Sequence, residues 1–140
     1  MGFNRQKQAQ LARKEDEGQS FPVRNADGTT AYKSDGVTPC TITVAGTHSE
    51  RYRAKQREMD RKPIRGKQNM AEAKDRAREL LVHCTLTWDI EEDDGSAIPF
   101  NRENVAALYR ECPWIAADGE ETMMDHEGFF ASASPEPPPT

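Results

Sequence analysis

Long apolar runs are missing from this chain. No stretch approaches the ~20 consecutive apolar residues that span a bilayer, and no charged-then-apolar leader opens the sequence. The start, "MGFNRQ", lacks the Ser or Thr at position 6 that a myristoylation signal requires. Leu, Ile, Val and Phe together supply 20 of 140 residues, below the ~20% level at which disorder becomes a prospect. The mean hydropathy is -0.90. The net charge of -5 is too modest to force disorder throughout. A small core with long solvated flanks is expected, and so small a core seldom encloses an enzyme cleft. Paired metal-ligand spacings are missing too. There is no CxxC and no HxxxH, and His48, His83 and His126 are scattered. No metal, cofactor or catalytic residue is therefore expected. Cys40, Cys84 and Cys112 cannot all pair with one another, which points to reduced thiols.

What is present is charge, unevenly placed. Arg51 to Lys67 holds eight Lys or Arg and two acids; Asp89 to Glu127 holds twelve acids and two arginines. Such asymmetry marks a partner surface, one half folding against the other, or two solvated helix faces. The basic stretch interleaves Tyr52, which suits nucleic acid, but the rest of the chain is acidic and no reading-head motif accompanies it.

The pattern along the chain gives an α+β fold. A small N-terminal β-hairpin or meander precedes three to four helices, with disordered flanks at both ends. Residues 1–19 read as a polar arm, frayed or helical only on a partner, with Gly18 as its stop. Residues 20–130 read as one small domain, with 20–46 forming its β part and 47–130 mainly helical. Asp27-Gly28 and Asp35-Gly36 are turn pairs. Cys40, Ile42 and Val44 alternate with Thr41 and Thr43, as in a half-buried strand.

Thr47 with Glu50 makes a capping box, predicting a helix from about His48 to about Lys62, broken by Pro63 and Gly66. Ala73, Ala77, Leu80, Leu81 and Cys84 form the stripe of a second helix, and Leu86 and Trp88 continue as an extended piece. Asn101 caps a third helix that presents Val105, Leu108, Tyr109 and Cys112. Pro113 interrupts it, the chain restarts at Trp114 and Ile115, and Gly119 weakens any long helix there. Residues 131–140 are small residues and prolines, expected to be disordered or extended.

"WDIEEDDGSAIPF" holds five acids between Asp89 and Asp94. As a calcium loop beginning at Asp89 it fails twice. Asp94 stands where the loop needs Gly, and Phe100 stands where it needs a bidentate Glu. Its "DDG" reads better as a solvated turn joining two core elements.

Four stretches in order resemble the tail assembly chaperones of long-tailed, siphophage-type bacteriophages. They are the Asp-Gly turn region, "TITVAGTHSERYRAKQRE" with its capped Ser49, "ELLVHCTLTWD", and "DDGSAIPFNRENVAALYRECPWI". Together they span roughly residues 20 to 116. The resemblance implies a non-enzymatic protein of the host bacterial cytoplasm. Such a protein coats the tape measure protein, recruits tail tube subunits, self-associates in some cases, and is generally absent from the finished virion. It also implies a longer form made by ribosomal frameshift. After "CPWI" similar proteins continue as a helix closing on Asn-Phe, whereas here "AADGEETMMDHEGFF" is acidic and Gly-broken. Candidate partner contacts are Tyr52, Trp88, Phe100, Leu108, Tyr109, Trp114 and Ile115; the competing role for each is core packing. Two other classes stay open: a structural virion protein (a minor tail or head–tail joining component), and an enzyme or nucleic-acid factor of phage replication.

Overall fold

The computed structural model describes residues 2–61 and 70–132. Among them six helices surround a three-stranded antiparallel sheet, an α+β architecture. The elements are α1 (Arg5–Glu17), β1 (Gln19–Pro22), β2 (Thr41–Val44), α2 (Glu50–Asp60), α3 (Met70–Cys84), β3 (Thr85–Trp88), α4 (Arg102–Glu111), α5 (Pro113–Met124) and α6 (His126–Ser132).

β2 is the central strand. Its expected alternation holds, with Cys40, Ile42 and Val44 buried while Thr41 and Thr43 are half-exposed. β1 pairs with it through Phe21 opposite Ile42, and β3 through Trp88 opposite Ile42. The extended piece foreseen at Leu86–Trp88 is thus a strand of the same sheet. Connection 23–40 folds back on itself, with Val23 donating to Cys40, Ala31 to Val23 and Cys40 to Ala31. Both Asp-Gly turns form, with Gly28 and Gly36 at positive φ.

The acidic stretch is a third turn of the same build. Asp94 accepts from the Ser96 amide and hydroxyl, Gly95 has φ 86°, and Glu91 bridges Ala97. Two of its other acids, Asp89 and Glu91, tie it to residues 33–41. Asp89 accepts from the Thr41 amide at 2.6 Å and pairs with Lys33 at 3.0 Å, and Glu91 accepts from the Ser34 amide.

Four expectations are corrected. The N-terminal arm is not frayed. It is a helix capped by Asn4, and its last turn is docked. Asp16 accepts the Glu50 and Arg51 amides at 3.1 Å each, so an acid of α1 satisfies the donors that open α2 and complements its dipole. Lys14 lies over the Phe130 ring of α6. The α2 cap is Ser49 rather than Thr47: the Ser49 hydroxyl oxygen accepts from the Tyr52 amide, and helix begins at Glu50. Gly119 does not break α5. A Cβ there would stand 3.0 Å from Leu81 Cδ1, so the missing side chain lets α5 close on α3. Finally, the stripe of α3 is only half used, with Leu81 and Cys84 buried and Ala73 and Ala77 exposed.

α2 to α5 supply the three to four helices expected after the β part, and α1 and α6 add to them. Ala131 and Ser132, placed in the expected tail, end α6. The rest of that tail and the break at Pro63 and Gly66 lie outside the described residues.

Much of the basic charge is spent within the fold. Arg51 donates to the His83 carbonyl, Lys55 meets Glu79 and Glu58, and Arg53 and Arg57 meet Glu50. No helix among the described residues is long and apolar enough to cross a membrane.

Candidate functional site

The seven residues singled out by sequence fall into two groups. Tyr109, Trp88 and Ile115 are core. The Tyr109 hydroxyl lies 2.7 Å from Thr85 Oγ1, and that hydroxyl donates to the Leu81 carbonyl at 2.8 Å. Tyr109 must therefore be the donor to Thr85. Burial pushes the Tyr109 phenol up to about 12. Trp88 Nε1 donates to the Ile98 carbonyl, and its ring meets Phe100 edge-on at 5.4 Å. These side chains organise the interior and offer a partner little surface.

The others reach solvent. Leu108 and Trp114, with Ile115 beneath them, line a cleft of about 280 Å³ between connection 23–40 and the α4–α5 corner. Val23, Ala31 and Ile90 complete its floor, and Tyr32, 53% exposed, forms the lip. The corner is set by sequence. Asn101 caps α4 by accepting from the Asn104 amide, and Pro113 starts α5 where it needs no amide donor. Trp114 is held by its Nε1 donating to the Arg24 carbonyl at 2.8 Å. Arg24 in turn grips Asp118 of α5 with two hydrogen bonds of 2.6 Å. That pairing raises the Arg24 guanidinium above its ordinary value. Glu91 and Asp93 stand at the rim.

A second apolar groove, about 180 Å³, is lined by Tyr52, Ala77, Leu80, Met123 and Met124. Ala77 and Leu80 of the α3 stripe open into it. Burial raises the Tyr52 phenol. The second groove is mainly apolar and the cleft is mixed, with apolar side chains at its base; acids stand nearby, Glu91 and Asp93 at the cleft and Glu120 at the groove. That chemistry suits an amphipathic segment with basic flanks. Apolar spacing identified Leu108, Trp114 and Ile115. It missed Tyr32, whose place depends on how connection 23–40 folds.

Sequence spacing also scattered the histidines, yet the fold brings two of them together. His48 and His126 stack at 4.0 Å beside the buried Glu15. Comparison with protein-family models, with curated proteins and with solved structures gives no match for this chain.

Proposed function

We propose that this protein is a non-enzymatic tail assembly chaperone of a long-tailed bacteriophage. In this reading it holds amphipathic helices of the tape measure protein and helps recruit tail tube subunits. The ordered resemblance across residues 20 to 116 supports the family. The observation that carries the binding role is the cleft built from Leu108, Trp114 and Tyr32, apolar at its floor and acidic at its rim. A helix laid in such a groove buries its apolar face reversibly while its basic flank meets Glu91 and Asp93. Tape measure helices are the segments that need such cover before assembly.

The test is co-expression with the tape measure and tail tube proteins of the same genome. The chain should keep the tape measure protein soluble and co-purify with it. Tyr32→Ala and Leu108→Gln should abolish co-purification while leaving the circular dichroism spectrum unchanged. A chain that binds neither protein and is found in purified virions is a structural component instead.

A further inference from the structure

Far from the cleft in sequence, the N-terminal and C-terminal helices meet at a cluster of donor atoms. Glu15, in the last turn of α1, is fully buried. Its Oε1 accepts from the His48 amide at 2.9 Å. Its Oε2 lies 3.3 Å from His48 Nδ1 and 3.1 Å from His126 Nδ1. His48 sits just before the α2 cap, and His126 opens α6. We infer that Glu15, His48 and His126 form a binding site for a divalent transition-metal ion, zinc foremost, which ties α1 and α6 to the start of α2.

Three physical points carry this. The first is spacing. Each residue offers one ligand atom, and the three atoms lie within 4.8 Å of one another. Zinc holds imidazole nitrogen and carboxylate oxygen at about 2.0–2.2 Å, which places neighbouring ligands of a tetrahedral ion roughly 3.4 Å apart. Two of the three separations already stand at 3.3 and 3.1 Å.

The second is donor type. Two imidazoles and one carboxylate suit zinc and its neighbours, whereas calcium and magnesium require oxygen donors. Three protein ligands leave a fourth position for water.

The third is charge and shape. A carboxylate at the C-terminal end of α1 faces the negative end of the helix dipole, and a buried anion is disfavoured unless a cation offsets it. The chain makes room for this anion with Gly46, where a Cβ would stand 2.1 Å from Glu15 Oε1. The His48 amide fixes Oε1, leaving Oε2 to the rings, the usual arrangement of outer contacts around a ligating carboxylate. The two rings are stacked 3° from parallel, so binding an ion splays them about χ2, a soft torsion. His48, with its side chain 58% exposed, and His126, at 35%, have space to turn. The site stands apart from the chaperone reading and holds or fails without it.

The experiment is titration of the full, tag-free chain with zinc alone, against a chromogenic chelator of micromolar affinity. The expected result is uptake of a single equivalent, with the ring signals of His48 and His126 shifting in NMR spectra while those of His83 stay in place. His48→Ala and His126→Ala should each weaken binding by about tenfold or more. His83→Ala and Cys112→Ser should leave binding unchanged. Because the two histidines are partly exposed, their variants stay folded, which circular dichroism verifies. Absence of stoichiometric uptake, or uptake that survives both histidine substitutions, overturns the assignment.

Discussion

Gly46→Ala tests how α1 is docked. The new Cβ would lie 2.1 Å from Glu15 Oε1 and 2.7 Å from its Cγ and Cδ. The backbone at Gly46 is outside the positive-φ region, so alanine brings no conformational penalty of its own. The cost is the collision, and Glu15 must relieve it by swinging away. Doing so breaks the bond from the His48 amide, a contact to a charged group worth ~1.5–3 kcal/mol. Against this, replacing glycine restricts the unfolded chain and returns ~0.4–1 kcal/mol. The net loss should be about 1–2 kcal/mol, measured as a lower urea midpoint at unchanged slope, with chelator present to keep metal out. A Glu15→Ala background removes the three atoms nearest the new Cβ. There Gly46→Ala should be neutral or stabilising by up to ~1 kcal/mol. An equal cost in both backgrounds would refute the argument, because the loss would then not pass through Glu15.

Other outcomes follow from the same contacts. Ser49→Ala should cost about 1 kcal/mol in urea unfolding, whereas Thr47→Ala should stay within ~0.5 kcal/mol; the reverse order would reinstate Thr47 as the cap. The Asp35 carboxyl, accepting from the Thr38 hydroxyl and the Thr38 and Val37 amides, is held down to about 2 from the ordinary 3.8. A depressed folded value means its stabilising contribution is complete above the ordinary carboxylate range and is lost as pH falls through about 2. NMR titration of that carboxyl near 3.8 would contradict the turn geometry. Of the three free thiols, Cys40 and Cys84 are buried and Cys112 is half-exposed, with burial pushing Cys84 up to about 12. A maleimide should therefore label Cys112 alone in the native protein, as peptide mass spectrometry would show, and equal labelling of Cys84 would mean that α3 opens readily.

Local signals were legible in the sequence. The alternation through β2, the three Asp-Gly turns and the Asn101 cap each rest on residues within a few positions of one another. Leu108, Trp114 and Ile115 of the cleft stood out for the same reason. What escaped depends on contacts between distant residues. α1 carries few apolar side chains and looked unable to pack, yet it docks through carboxylates: Asp16 reaches the opening amides of α2, and Glu15 meets His48 and His126. That borrowed acid also explains why the Thr47–Glu50 template misled. Asp16 satisfies the Glu50 amide from outside, while His48 lies in the turn before the cap and its amide donates to Glu15. Gly119 misled for a packing reason, since Leu81 and Phe21 fill the space its side chain would take.

The most direct test of the central claim is hydrogen–deuterium exchange on the chain alone and bound to the tape measure protein. New protection is expected in residues 23–32 and 108–115, the two walls of the cleft. Protection confined to other segments, or no change on mixing, would contradict that claim.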